Sequence, residues 1–192
     1  MTTIRIKVPN WLDFLFTCPL LAYRLFRFGY TFRKIFLGEG RFAIVEPADY
    51  YRLNNFQWYA DGEDNLIYAL RTVISPNKKT KTVRMHREIM NAPDGILVDH
   101  RNRNALDNRR SNLRFATHSQ NMQNRGKKRC KTSSRFIGVC FDKESQLWRA
   151  YISYQKKRIY LGRFDSEIDA AKTYDEAAKK YFGEFARLNF SE

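Results

Sequence analysis

The stretch following Ser133 constrains the fold most. Three β-rich runs, at 136–141, 148–154 and 158–161, are separated by polar turns. A helix with clear punctuation follows. Ser166 is placed as an N-cap with Asp169 three residues on, and Gly183 closes the far end. Between them Ala170, Ala171, Tyr174, Ala177, Ala178 and Tyr181 recur at helical spacing. A face of such small residues can lie close on a sheet, so this part of the chain predicts three antiparallel strands packed on one helix.

Charge narrows what such a module meets. The 192-residue chain carries a formal net charge of +15, an excess that repels the compact state and points to a polyanion or an anionic surface as partner. Most of it lies between Lys78 and Lys131, where fifteen Lys and Arg face four Asp and Glu. The run Arg125, Lys127, Lys128, Arg129 and Lys131 has no apolar periodicity. It reads as a linker touching phosphate, with a solubilising spacer as the alternative.

Cys18, Cys130 and Cys140 form an odd set with no C-x-x-C spacing, which excludes the usual four-ligand zinc cluster and fits a reducing cytoplasm, not secretion. The apolar run at 14–23 contains Pro19 and is half the roughly 20 residues of a membrane span, so it predicts a short packed or interfacial helix and no membrane partner. Residues 24–30 alternate basic and apolar side chains, and 41–45 continue as an alternating or buried strand. Pro47 opens a short helix. Trp58-Tyr59 and 67–70 suggest two strands about the Asp61-Gly62 turn.

The chemistry is concentrated at 98–121. A strand ending in Asp99-His100, an Asn/Asp-rich loop, a short strand at 113–115 and a helix capped by Thr117 with Gln120 at its third position make a hairpin leading into a helix. That arrangement brings the oxygens of Asp99 and Asn121 within reach of one ion. Hard oxygen ligands without sulfur favour Mg²⁺ or a similar cation. His100 beside them has an imidazole whose ordinary pKa, roughly 6.5, suits it to take a proton from water. The combination points to phosphodiester hydrolysis. Asn102, Asn104, Asp107 and Asn108 shape the loop through side-chain to backbone bonds, and His118 is a surface residue.

Val98-Asp99-His100, twelve residues from His100 to Asn112 in Ser-Asn-Leu-Arg, and nine more to Asn121 resemble the HNH nucleases of the ββα-metal fold, particularly phage and homing-type endonucleases. The resemblance implies His100 as general base, Asp99 and Asn121 as ligands of one Mg²⁺ or Mn²⁺, and Asn112 as the residue holding the hairpin and His100 in place. It also implies a bacterial or phage-infected cell as the setting. Met85-His86-Arg87 matches a His-Arg that precedes the motif in such proteins, so His86 and Arg87 are expected to position or contact phosphate. Arg109, Arg110, Arg114, Arg125, Lys127, Lys128 and Arg129 are further expected DNA contacts.

Gly138-Val139, Trp148-x-Ala150-x-Ile152, the run 158–164, Ala170-Ala171-x-x-Tyr174-Asp175 and Gly183-x-x-Ala186-x-Leu188-Asn189 resemble the APETALA/ethylene-response-factor DNA-binding domain. That family sets its sheet in the major groove of duplex DNA. Ile137, Cys140, Asp142, Tyr151 and Ser153 depart from its recognition residues, so the fold carries over and the plant target sequence does not. By alternation Arg149, Tyr151 and Ser153 oppose Trp148, Ala150 and Ile152. Arg149, Tyr151, Arg158 and Tyr160 are therefore expected to face DNA, ordinary sheet packing being the alternative for the tyrosines, and Trp148 is expected in the core.

The whole reads as an α+β chain. An extension (1–40) and an N-terminal α/β region lead into an HNH nuclease domain (41–126), followed by a basic linker (127–132) and the DNA-binding module (133–192), by default a monomer. A metal-dependent endonuclease on duplex DNA is the leading reading. A non-catalytic DNA-binding regulator is the second, and a membrane-surface protein the last.

Overall fold

The structure is a computed structural model and describes residues 10–62, 66–124 and 133–190. The expected contacts Arg125, Lys127, Lys128 and Arg129 and the linker at 127–132 lie outside the described residues. The chain forms two compact units, one holding residues up to Asp94 with Asn104–Arg114, the other Gly95–Arg103 with Phe115 onward.

The first unit opens with helix α1 (Asn10–Phe28), longer than the ten-residue apolar run suggests. Residues 24–28 are its last turns, not the strand that their alternation implies. The reason is tertiary: the packed face of α1 recurs at helical spacing through Asp13, Thr17, Leu21 and Arg24, and the helix stops at Gly29, whose φ is +75°. Asp13 anchors α1 through the buried Arg33 (Nη1–Oδ2 3.0 Å) and Tyr51 (2.6 Å). These two donors, Arg33 foremost, hold its carboxyl below the ordinary 3.8.

Strand β1 (Arg33–Gly38), which the sequence reading did not anticipate, pairs antiparallel with β2 (Arg41–Val45). The boundary at residue 40 thus falls in the turn of a hairpin. Ile35 and Leu37 face Ala43 and Val45 into the core, completed by Leu53, Ala69, Met85 and Ile89. Helix α2 (Pro47–Asn54) begins at its proline as expected. Strands β3 (Tyr59–Asp61), β4 (Tyr68–Ile74) and β5 (Thr80–Arg84) form an antiparallel sheet in that order. β5 runs directly into the short α3 (Met85–Ile89), burying Met85, His86 and Ile89.

Next come β6 (Leu97–His100), paired with β7 (Leu113–Ala116), and α4 (His118–Gln123). Thr117 accepts from the Gln120 backbone at 3.2 Å while the Gln120 side chain accepts from the Thr117 backbone at 2.8 Å, the reciprocal cap expected there. Within the second unit α4 packs on β6.

The remainder of that unit is a three-stranded antiparallel sheet, β8 (Val139–Asp142), β9 (Leu147–Tyr154) and β10 (Lys157–Phe164), with β9 central and α5 (Glu167–Phe182) packed against it. Ser166 caps α5 by accepting from the Asp169 backbone, and Gly183 ends it at φ +53°. Ala170, Ala171, Tyr174 and Ala178 form the buried face, against Val139, Ala150 and Ile152. Trp148 packs on this core. Close approach explains Gly138, where a Cβ would lie 2.1 Å from the Tyr174 ring. Asp175 accepts from the Asn189 and Phe190 backbones, and Asn189 pairs with the Ile137 backbone, tying the C-terminal segment to the start of the sheet.

Candidate active site and nucleic-acid interface

Asp99 and His100 end β6, both about 6% exposed. The group that meets them comes from α4. Asn124, the C-cap of that helix, directs its amide Nδ2 to both Asp99 carboxylate oxygens (3.0 and 2.9 Å) and to the His100 carbonyl (3.0 Å). Because all three partners are acceptors, the amide nitrogen must point at Asp99, which leaves Asn124 unable to offer oxygen to an ion there. Its role is to orient the carboxylate. Asn121 lies three residues earlier on α4, half-buried, one helical turn away on the same side.

Sequence reasoning missed Asn124. The signal was present, since Asn at spacing i and i+3 stacks two amides along one helical face.

Asn112 is buried and donates its amide to the Asp107 carbonyl at 2.7 Å, pinning the loop that precedes β7. Two of the other loop residues act as expected. Asn104 accepts from the Leu106 backbone at 3.1 Å, and Asn108, wholly buried, donates to the Ala105 carbonyl at 3.5 Å. His118 is exposed.

Several arginines expected to touch phosphate are engaged within the protein. Arg109 forks onto Asp107 (2.7 and 2.6 Å) and stacks 3.6 Å over the Tyr30 ring. That carboxylate raises its pKa. Arg110 forks onto Asp49 (2.7 and 2.9 Å). Burial would lift the Asp49 carboxyl, but Arg110 and Arg52 together hold it below the ordinary 3.8. Arg87 donates to the Ala92 and Pro93 carbonyls (3.2 and 2.8 Å). Arg114 and His86 are buried, His86 against the Tyr68 ring. Loop carbonyls thus hold Arg87, a carboxylate holds each of Arg109 and Arg110, and Arg114 and His86 are buried.

On the sheet, register places Arg149 opposite Cys140 on one side and Arg163 on the other, and Tyr151 opposite Tyr160. The two tyrosine rings lie 5.4 Å apart, with the Arg158 guanidinium 3.8 Å over Tyr151. Tyr160 is half exposed. Arg149 donates to Asp142, whose carboxyl the Ser145 hydroxyl and Arg149 hold low. Arg163 escaped the sequence reading because a bulge between Tyr160 and Gly162 shifts the alternation; Gly162 inside a strand was its signal.

Among the described residues no group of three or more His, Cys, Asp or Glu gathers as a cation site. The oxygen donor at the end of β6 is instead the Asp99 carboxylate, and α4 carries the Asn121 amide. Such hard donors suit Mg²⁺ or Mn²⁺, which bind few protein ligands and keep their remaining positions for water or phosphate oxygen. No described helix is long and apolar enough to cross a membrane.

Residues 91–123 match the family model for HNH endonucleases, and residues 134–184 the model of the AP2 domain. An HNH endonuclease of Acanthamoeba polyphaga mimivirus is 30% identical over 152 residues, covering 79% of this chain and 76% of that protein. The chain belongs to the HNH endonuclease family. This HNH chain also carries an AP2 domain, for which an ethylene-responsive transcription factor of Arabidopsis thaliana is 44% identical over 66 residues, 34% of this chain and 15% of that factor. The APETALA2-like protein 2 of Oryza sativa is 41% identical over 59 residues, 31% of this chain and 14% of its own length. The chain thus spans a small part of the plant relatives and most of the viral one.

Proposed function

We propose that this HNH chain is a metal-dependent endonuclease that hydrolyses phosphodiester bonds of duplex DNA, with the AP2 sheet anchoring it in the major groove. One observation carries the reading: a buried Asp-His pair at a strand end whose carboxylate is gripped by Asn124, on a helix that also bears Asn121. Asp99 and Asn121 would hold one Mg²⁺ or Mn²⁺, which supplies charge neutralisation for the phosphoryl oxygens when bound. His100 takes the proton from the attacking water. Asn112 holds the loop between Asp99-His100 and β7, and Asn124 keeps Asp99 aimed. In this reading 41–126 is the nuclease domain, 127–132 the linker and 133–192 the DNA anchor, with residues 1–40 an N-terminal extension and the monomer as the working form.

The AP2 surface is read as Tyr151, Arg158, Tyr160 and Arg163, with Arg149 partly committed to Asp142. A three-stranded sheet of this width enters the major groove, where each base pair shows a distinct pattern of donors and acceptors.

The deciding assay is supercoiled plasmid with Mg²⁺ or Mn²⁺. Wild type nicks or cuts it, EDTA stops the reaction, and His100→Ala lowers the rate by roughly 10²–10⁴-fold. A wild type that binds DNA but leaves plasmid intact with either ion is a DNA-binding regulator instead.

A further inference from the structure

We propose that the outward face of α1 pairs two copies of this chain, the two helices running antiparallel about a two-fold axis midway between positions 20 and 21. The pairing does not depend on the nuclease reading. Each copy keeps its own Asp99-His100 pair and AP2 sheet, so the single chain stays the hydrolytic unit and the pair carries two.

Helix α1 is turned inside out. Its polar side chains face the protein: Asp13 accepts from Arg33 and Tyr51, the buried Thr17 accepts from the same Arg33 guanidinium at 3.0 Å, and Arg24 donates to the Phe32 carbonyl. An ordinary surface helix does the reverse. Among the described side chains from Leu15 to Phe28, the only charge left exposed is that of Arg27. Phe26 is 93% and Phe16 76% exposed, and Leu15, Tyr23 and Leu25 are each more than half exposed. At the area a large apolar side chain carries, these five alone offer on the order of 700 Å². The exposed Leu20 and Phe28 extend the same surface. The largest apolar patch on a monomer is ordinarily about 300–600 Å², whereas a stable interface takes roughly 800 Å² from each partner. The face has the area that a stable dimer needs.

The order of side chains along the face selects a second copy as the partner. Leu15, Pro19, Ala22 and Phe26, all exposed, follow one another at spacings of four, three and four, the seam of paired helices. That seam is bulky at its ends, small at its middle and symmetric about its centre. In an antiparallel pair Leu15 meets Phe26 of the other copy, Pro19 meets Ala22, and Phe16 beside the seam meets Leu25. Such self-complementarity is what a two-fold interface requires. Charge fixes the direction. Each Arg27 stands six to seven residues from the axis, so antiparallel helices hold the two guanidiniums roughly 20 Å apart, beyond the ~10 Å screening length, and parallel helices would bring them together. A lipid surface is the poorer match. Helices that lie on membranes turn a polar face rich in Lys and Arg to the headgroups, and the polar face of α1 is already closed on Arg33, Tyr51 and Phe32.

The test is sedimentation velocity of the full chain without DNA, under reducing conditions, over roughly 0.5–50 μM so that mass action is visible. Wild type is expected to reach twice the 22.9 kDa of the single chain as concentration rises. Leu15→Glu and Phe26→Lys should each weaken pairing at least about tenfold, because each homodimer then buries charges without partners. Their circular dichroism should match wild type, since both positions face solvent. Mixing the two variants should restore a dimer: the new carboxylate of one copy meets the new ammonium of the other, while Leu15 and Phe26 meet intact at the opposite end. Should either variant fail to fold, Phe16→Ala and Leu25→Ala are each expected to shift the dissociation constant severalfold. A wild type that stays at the mass of one chain throughout overturns the pairing, as does a dimer that survives both charged variants. Variants that remain monomeric when mixed overturn the antiparallel register. A monomeric wild type that pellets with vesicles of phosphatidylcholine and phosphatidylserine, when Leu15→Glu does not, assigns the face to lipid and overturns it too.

Discussion

Replacing Asn124 by alanine removes a single amide that serves three acceptors, and comparing it with Asn121→Ala separates orienting a carboxylate from binding an ion. Asn124 is 6% exposed and its Nδ2 reaches both Asp99 oxygens and the His100 carbonyl. Hydrogen bonds to a buried charged group contribute about 1.5–3 kcal/mol, and alanine strips this carboxylate of its Asn124 donor, so a loss of about 2–3 kcal/mol is expected. For a chain of this length that corresponds to a fall of roughly 4–12 °C in melting temperature. Asn121 is half-buried on a helix, where alanine is the better helix former, so Asn121→Ala should stay within about 0.5 kcal/mol of wild type.

The functional order reverses. Asn121→Ala should lose at least about a hundredfold in plasmid nicking and also lose the Mg²⁺-induced rise in melting temperature that ligand binding confers. Asn124→Ala should nick about 10–100-fold more slowly, with part of the rate recovered at higher Mg²⁺, because its carboxylate is present but poorly held. Melting by circular dichroism in EDTA and then in Mg²⁺, beside the plasmid assay, reads all four quantities. An Asn124→Ala variant as stable as wild type, or an Asn121→Ala variant that nicks normally, would refute the division of labour.

Three other perturbations follow from the packing. In Gly138→Ala the new methyl would lie 2.1 Å from the Tyr174 ring and 2.6 Å from the Tyr151 carbonyl at a φ of +75°, so a loss of about 2–4 kcal/mol is expected in urea unfolding; a neutral result contradicts the close helix-on-sheet approach. Asp49 titrates below the ordinary 3.8 in the folded state; the folded pKa is depressed, so its stabilisation is fully present above about pH 4 and fades as pH drops through the folded value. Asp49→Asn should accordingly cost about 1–2 kcal/mol at pH 7 and progressively less below pH 4, whereas a gap independent of pH removes the ion-pair explanation. Arg158→Ala and Tyr160→Ala should each weaken duplex binding about tenfold in EDTA without altering melting, and equal affinity would show that this face does not meet DNA.

The AP2 half was the more legible in sequence. Its strands alternate with a period of two and its helix presents small residues at 170, 171, 174 and 178 between an N-cap and a closing glycine, so local preference and packing demand the same structure. The first unit was harder to read. Residues 24–28 alternate like a strand, yet they finish α1 because Asp13 and Arg33 fix that helix against β1. A partner twenty residues away leaves no periodic mark. The candidate pair Asp99-His100 was visible because strand end, loop and capped helix are all set by neighbours in sequence.

What sequence determined was thus everything governed by short-range rules: two strands and a capped helix around Asp99 and His100, and a sheet under an alanine-faced helix. Only the tertiary structure decided which polar side chains are available. Arg109 and Arg110 look as free as any arginine until Asp107 and Asp49 come within hydrogen-bonding distance, and Asn124 looks like the tail of a helix until its amide meets Asp99. The reason is that a side chain's charge and hydrogen-bonding capacity belong to its composition, whereas the partner that takes them up is brought in by the folding of distant segments, which local pattern does not encode.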